Sequence, residues 1–401
     1  MIPTILPLEH SHSASRNLVG QKALILGKLM KAGFRVPPGI CLTTECYRSY
    51  IRETGLQDFI VIEIGRKNYE DMRWEEHWDA ALRIRHLFLK TPLPAGLAAQ
   101  IKDVITERFQ QQAIALRSSA PSEDLPEASF AGLYESYLNL KTWEDIDRHI
   151  RLVWASLWSD AALLYQHELN LDVRESAMAV ICQNMIASDK AGVAFSQNPL
   201  NPSEAVIEAV FGLNQGLVDG DVDPDRWNLD RASGRILGVH QAEHLAQMSL
   251  KNKGVTLKDI PLANAASPVL NEQEVAKVYK GLQEVENLFQ VPQDMEWTLQ
   301  GKTLYILQAR PITTRPSSEG QNRRSFDLSL RRSFENLRKL DTRIEEEWLP
   351  AMLEDVALFS NTQLRALSDE ELAEEIQNRK KCYEKWKVVY WEDFIPFAHG
   401  T

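Results

Sequence analysis

Few cysteines, no long apolar run and no surplus of basic residues mark this sequence, and each lack excludes something. Cys41, Cys46, Cys182 and Cys382 are the only cysteines in 401 residues. Only Cys41 and Cys46 lie close together, and no histidine stands near them, so the segment does not read as a zinc site. Thiols this sparse suit a reducing compartment rather than a disulfide-stapled scaffold, and the expected localisation is cytoplasmic. No stretch approaches the ~20 apolar residues that span a bilayer. The opening Met1-Ile2-Pro3-Thr4-Ile5-Leu6-Pro7 lacks the basic start and sustained apolar core of a signal peptide. Lys and Arg number 45 against 56 Asp and Glu, a formal net charge of -11. Nucleic acid and anionic membranes need a basic face, so neither is an expected partner. A local basic pocket for one nucleotide stays open.

The rest of the composition is that of a globular protein. Apolar residues make up 44% and charged residues 25%, enough for a large core at this length. Residues 1–314 read as mixed α/β (α+β). A helix runs from Gly20 to Lys31 and stops at Gly33. Val36-Pro37-Pro38-Gly39 breaks the pattern before an apolar stretch, Ile40 to Thr43. Residues 74–90 and 97–111 have helical spacing, Ala113 to Leu116 is a short buried strand, and 142–168 are helical again. Along that last stretch Trp154, Leu157, Trp158, Ala161 and Leu164 share one face. Strands are expected at Ala177 to Ile186, Gly192 to Ser196 and Ala205 to Val210, then a helix at 271–289. Asp294 to Leu299 and Thr303 to Ala309, joined around Gln300-Gly301-Lys302, read as a hairpin.

Residues 315–325 form a polar linker of breaker residues. Beyond it, 326–401 is charged and helical in period, with a helix start at Ser368-Asp369-Glu370-Glu371. It ends in the aromatic group Trp386, Tyr390, Trp391, Phe394 and Phe397, which asks for a partner surface. The stretch reads as the opening of a second, incomplete domain.

Three elements carry chemistry. In Leu18-Val19-Gly20-Gln21-Lys22-Ala23, a Gly and a Lys at a helix start can bring backbone N–H groups and an ammonium to a phosphate. The P-loop order is absent, and an exposed lysine would give the same text. In the second, Leu116-Arg117-Ser118-Ser119 leaves the strand for a polar loop running through Glu123 and Asp124 to Ser129-Phe130-Ala131-Gly132. A guanidinium fork and small residues suit a cover over a triphosphate. The plain alternative pairs Arg117 with Glu123 or Asp124. The third is the hairpin. Side chains alternate along a strand, so Asp294 and Glu296 share a face, as do Gln308 and Arg310. A three-residue turn makes the two polar faces coincide and gathers oxygens suited to Mg²⁺ beside an Arg suited to phosphate. A two-residue turn puts them on opposite faces, leaving an ordinary hairpin with cross-strand ion pairs.

Together these pieces resemble the ATP-binding domain of the dikinases, shared by phosphoenolpyruvate synthase, pyruvate phosphate dikinase and rifampin phosphotransferase. The resemblance covers residues 14–314. It rests on Val19-Gly20-Gln21-Lys22 with Val36-Pro37-Pro38-Gly39, on Arg117-Ser118-Ser119-Ala120 through Ser129-Phe130-Ala131-Gly132, and on Glu296-Trp297 with Leu307-Gln308-Ala309-Arg310-Pro311-Ile312-Thr313. Gln183, the strand Ala191 to Ser196, and Glu208-Ala209-Val210-Phe211-Gly212-Leu213 belong to the same pattern.

The resemblance implies an ATP-grasp fold with ATP and Mg²⁺ as cofactors. Lys22, Arg117 and Arg310 would contact phosphates, Gly132 would belong to the covering loop, and Gln183 would lie at the adenine end. Glu296 and Gln308 would hold Mg²⁺, with Asp294 and Glu208 as weaker candidates. Family members pass the β-phosphoryl of ATP to a histidine on a swivelling domain and then to a small acceptor such as pyruvate, a phenol or a rifamycin. Such a phosphohistidine domain, in cis or on another subunit, is therefore the expected partner. Ser11-His12-Ser13-Ala14 is the nearest text to its Gly-rich histidine loop, and His12 reads as an exposed polar residue instead. Three departures stand out. Gln21 replaces the second Gly of Gly-Gly-Lys, Gly212-Leu213-Asn214-Gln215 replaces Gly-Leu-Gly-Glu, and Tyr165-Gln166 replaces Tyr-Arg. Besides a phosphoryl-donor module, the resemblance leaves open the ATP subunit of a split, phenylphosphate synthase-like enzyme. A non-catalytic nucleotide sensor is the other alternative.

Overall fold

The computed structural model describes residues 2–67, 74–110, 112–122, 133–168, 172, 175–198, 200–244, 246–260, 267–312, 341–360, 362, 364, 367–390 and 394. The chain divides into two compact units, residues 1–214 with 224–314, and residues 215–223 with 315–401.

The first unit is mixed α/β. It begins with β1 (Ile5–Pro7), a 3-10 turn (Leu8–Ser13), α1 (Arg16–Lys31), β2 (Gly39–Leu42), α2 (Thr44–Glu53), α3 (Leu56–Ile64), α4 (Trp74–Lys90) and α5 (Ala95–Phe109). Next come β3 (Ile114–Ser119), β4 (Ser136–Leu140), α6 (Trp143–Ser156), α7 (Asp160–Glu168), β5 (Ala179–Asn184), β6 (Lys190–Phe195) and β7 (Glu204–Phe211). It closes with β8 (Asp225–Asp230), β9 (Ile236–His240), β10 (Ala246–Leu250), β11 (Val255–Asp259), α8 (Glu272–Phe289), β12 (Gln293–Gln300) and β13 (Thr303–Pro311). One antiparallel sheet has the order β1-β2-β5-β3-β4, a second has β13-β12-β6-β7-β8-β9, and β10-β11 form a ribbon.

Two cores follow from the alternation of the strands. Ile40, Leu42, Leu116, Val180 and Cys182 face one way from the first sheet and meet Tyr47, Phe88, Ile101 and Trp154 of the surrounding helices. Cys41 and Ile181 face the other way and join Val19, Ala23 and Leu26 of α1. The same cluster takes Ala194, Ile207, Met295 and Trp297 of the second sheet, with Val278 and Leu282 of α8. A capping box of Asn271 and Glu274 starts α8. No disulfide joins the described cysteines. Burial pushes the Cys46 thiol up to about 12 and raises those of Cys41 and Cys182.

Several boundaries differ from the sequence reading. The expected helix at 142–168 is two helices, broken at 157–159. Gln166 is buried and ties the pieces together, donating to Leu157 O at 3.0 Å and accepting from Ser176 Oγ at 2.5 Å. β3 runs on through Ser119, where the sequence suggests a loop from Arg117. Its two hydroxyls are satisfied inside the fold: Ser119 Oγ donates to Val19 O at 2.8 Å and accepts from Ala23 N–H at 3.0 Å, while Ser118 Oγ accepts from Lys22 Nζ at 3.4 Å. The sequence reading missed β8 to β11 altogether.

The second unit is helical in its described parts, with a turn at Gln215–Val218, α9 (Leu349–Ser360) and α10 (Asp369–Val389). Ser368 and Glu371 form the expected capping box. Asp355 accepts from Trp386 Nε1 at 2.9 Å and Lys385 Nζ at 3.1 Å, and Trp386 meets Trp348 edge-on at 6.1 Å. Trp391 and Phe397 of the expected aromatic cluster lie outside the described residues. No described helix is long and apolar enough to cross a membrane.

Candidate nucleotide site

The hairpin β12–β13 turns through two residues, Gly301 and Lys302, since Gln300 pairs with Thr303. On alternation alone this would put the polar groups on opposite faces. A β-bulge corrects it. The register shifts between Glu296 and Trp297, so that Trp297 pairs with Ile306 but Glu296 pairs with Gln308, leaving Leu307 as the extra residue. Asp294 pairs with Arg310. All four polar side chains therefore share one face. Val193 and then Glu208 continue that face from Glu296 across the sheet.

The opposing group comes from α1 and β3. Gly20 interrupts α1 with φ 74 and ψ 171, and a Cβ there would lie 2.0 Å from the Ser119 carbonyl oxygen. Only glycine lets the two backbones approach so closely. The helix restarts at Gln21, whose N–H donates to Ala120 O at 3.1 Å. This places Lys22 in the first turn, beside the end of β3.

Arg117 joins the two sheets. Its Nη1 donates to the bulge carbonyl of Leu307 at 2.5 Å. Its Nη2 donates to Glu296 Oε2 at 2.7 Å and to Gln308 Oε1 at 3.1 Å. The alternative pairing with Glu123 or Asp124 falls outside the described residues, and so does Gly132. Arg310 donates from Nε and Nη2 to Asp294 Oδ2, both at 2.7 Å. Glu208 is buried, with Arg226 at 3.8 Å. Burial pushes its carboxyl up against the opposing pull of Arg226, and Asp294 raises it further.

Burial also works against ionisation at Glu296. The charges of Arg117, Lys22 and Arg310, with the Arg117 hydrogen bond, outweigh it and hold the carboxyl below its ordinary range. Three cations thus converge electrostatically on one carboxylate. A depressed folded-state pKa contributes stability that is present above the unfolded value, about 4.3, and is lost as pH falls through the folded value. Glu296→Gln is therefore expected to lower the urea midpoint clearly at pH 7 and by less as the pH falls toward 3. Equal losses at both pH values would contradict this.

The site's oxygens fit a magnesium ion. Glu296 Oε2 and Gln308 Oε1 converge on one guanidinium nitrogen, a position that already holds positive charge. No group of three His, Cys, Asp or Glu side chains gathers among the described residues as a metal cage. One carboxylate and one amide suit Mg²⁺, which takes its remaining oxygens from phosphates and water.

Gln183 stands apart from this cluster. It lies on β5 two residues from Ile181, the partner of Arg117, and so on the same sheet face. Its Nε2 donates to Pro37 O at 2.9 Å. His12 is half-buried rather than exposed, because Gly27 of α1 packs against the 3-10 turn that carries it, and its Nδ1 meets Glu9 O at 2.7 Å. The sequence reading overlooked Asn214, whose Nδ2 reaches Glu296 Oε2 at 3.5 Å. The only signal was its place in the unusual Gly212-Leu213-Asn214-Gln215. The same loop walls a cavity of about 430 Å³ with Ser188, Lys190, Phe211, Met248 and Leu250.

Known proteins share this pattern. Residues 16–328 match the family described as pyruvate phosphate dikinase, AMP/ATP-binding domain. A phosphoenolpyruvate synthase of Aeropyrum pernix is 35% identical over 333 residues, covering 74% of this chain and 40% of the relative. A probable phosphoenolpyruvate synthase of Methanocaldococcus jannaschii is 33% identical, covering 74% and 26%. A rifampicin phosphotransferase of Bacillus subtilis is 31% identical over 318 residues, covering 78% and 36%. The chain spans less than half the length of each of these relatives. With its α/β first unit and most of its length matched, the chain belongs to the pyruvate phosphate dikinase AMP/ATP-binding domain family.

Proposed function

We propose that residues 1–314 bind MgATP and serve as the phosphoryl-donor part of a dikinase-type phosphotransferase. One observation carries this reading: Arg117 reaches from β3 to Glu296 and Gln308 on a hairpin face where Arg310 also meets Asp294, and the charge of Lys22 acts on the same Glu296 carboxyl. Such a set matches a polyphosphate with its cation and has no use in a plain hairpin. Lys22 and Arg117 hold phosphate oxygens, and Arg310, steered by Asp294, steadies the chain of phosphates. Glu296 and Gln308 hold Mg²⁺, which when bound neutralises phosphate charge. Gly132 belongs to the covering loop, and Gln183 lies at the adenine end.

The residues of this chain orient the nucleotide and balance charge, which is most of what phosphoryl transfer asks of a protein. The β-phosphoryl goes to a histidine of a swivelling domain, in cis or on another subunit, and the γ-phosphate goes to water. The products are AMP, inorganic phosphate and a phosphorylated acceptor. The acceptor is a small molecule of the kind the relatives' names give, the precursor of phosphoenolpyruvate or rifampicin. Residues 326–401, after the linker 315–325, belong to a part that binds or leads to it, and the expected compartment is the cytoplasm.

The phosphate roles are tested by comparing ATP with adenosine. Lys22→Ala and Arg117→Ala are each expected to weaken ATP binding by about tenfold to a hundredfold and to leave adenosine binding nearly unchanged. Equal losses for both ligands would remove the phosphate assignment.

A further inference from the structure

Asn214 sits where the loop after β7 meets the site, and its position is imposed by backbone. Gly212 N–H donates to Asp189 O and Leu213 N–H donates to Met248 O, both at 2.9 Å. Gly212 has φ 78, and a Cβ there would lie 2.2 Å from the Met248 carbonyl oxygen. No other residue fits without moving the loop. Asn214 is thereby held with only 8% of its surface exposed.

Its amide is poorly matched to its surroundings. Nδ2 reaches Glu296 Oε2 only at 3.5 Å, the outer limit of a hydrogen bond. Oδ1 is buried and meets no donor among the described residues. An orphaned buried acceptor costs about 1–3 kcal/mol. The two ends of an amide have the same shape, and a half-turn about the Cβ–Cγ bond exchanges them. Oδ1 then stands beside Glu296 Oε2. Two oxygens in contact repel unless a cation lies between them, and this carboxylate oxygen is the one that meets the Arg117 guanidinium together with Gln308. Glu296 Oε2 would then have two amide oxygens on its side of the site, that of Gln308 from β13, which shares the Arg117 nitrogen with it, and that of Asn214 from the loop after β7. Hard oxygens of this kind suit Mg²⁺ and Mn²⁺.

We propose that Asn214, with Oδ1 turned toward Glu296, is a third protein oxygen for the divalent cation that Glu296 and Gln308 hold on the nucleotide phosphates. The proposal rests on the nucleotide-binding reading above. It gives the orphaned oxygen a partner and replaces a marginal hydrogen bond with a coordinate one, while the amide nitrogen takes the buried position the oxygen held. It also adds a ligand without adding charge, so the single negative charge of Glu296 stays matched to the surrounding cations.

The test uses the full chain and reads binding rather than turnover. ATP affinity is measured by calorimetry in EDTA and again with Mn²⁺, and the ratio is the gain due to the metal. Asn214→Ala is expected to cut that gain about tenfold while the metal-free affinity stays within about twofold. Asn214→Asp keeps an oxygen at the same place, so the gain is expected to equal or exceed that of the unmodified chain. A merely structural asparagine behaves differently: a buried aspartate beside Glu296 would then be as harmful as alanine. An unchanged gain in Asn214→Ala, or a lost gain in Asn214→Asp, would overturn the inference and leave the nucleotide site standing. Should Asn214→Ala not fold, Asn214→Asp alone decides. If the unmodified chain binds ATP under neither condition, both the nucleotide-binding reading and this inference fail.

Discussion

On the proposed function, replacing Arg117 by alanine is expected to lower turnover, measured with an added phosphohistidine domain, by about a hundredfold to a thousandfold. Arg117 makes three contacts with one rigid fork, to Leu307 O, Glu296 and Gln308. Its loss removes the proposed phosphate partner and these contacts between the two sheets. Arg117→Lys should rescue little, because a single ammonium cannot reach a bulge carbonyl and two side chains in a plane. Stability should change far less than turnover. The side chains of Arg117 and Glu296 are 15% and 20% exposed, so the broken ion pair is partly relieved by water and costs about 1–3 kcal/mol. Steady-state rates and urea midpoints on the same preparations separate the two effects. Near-normal turnover in a folded Arg117→Ala would contradict the assignment.

The second large effect concerns the phosphoryl carrier. Incubated alone with MgATP, the chain is expected to release almost no AMP. None of its nine histidines stands in a Gly-rich phospho-acceptor loop. His12, the nearest in text, is half-buried in a 3-10 turn with its ring nitrogen engaged by Glu9 O. If the nucleotide-bound site closes against water, as the proposed transfer requires, the β-phosphoryl is left without an acceptor. Adding the histidine-bearing domain, in cis or in trans, should raise AMP release by several orders of magnitude and place acid-labile label from β-labelled ATP on that domain. Stable label on this chain alone, abolished by His12→Ala, would make His12 the carrier instead.

Much of the fold was legible because its elements are regular. The helices at 74–90 and 271–289 show a clear apolar stripe, and the second has a capping box in its text. The central strands β5, β6 and β7 are apolar runs bounded by breakers. β9 is exposed along most of its length, so it carries no alternation to read. The continuation of β3 through Ser119 was hidden because Ser118 and Ser119 look like loop residues until their partners on α1 are known. The site was harder. Its residue types could be picked out one by one, but their meeting depends on a bulge at Leu307 that periodicity does not reveal. A two-residue turn would have pointed to the wrong conclusion. Asn214 could not be found from sequence, because its importance lies in a contact with Glu296, 82 positions away.

The central claim is that the convergence of Lys22, Arg117 and Arg310 on Glu296 is a nucleotide site. Calorimetric titration of the full chain with MgATP tests it most directly. The account predicts saturable binding at one site per chain, strongly weakened in Arg117→Ala. The absence of saturable heat at millimolar MgATP, from a chain shown to be folded, would contradict it.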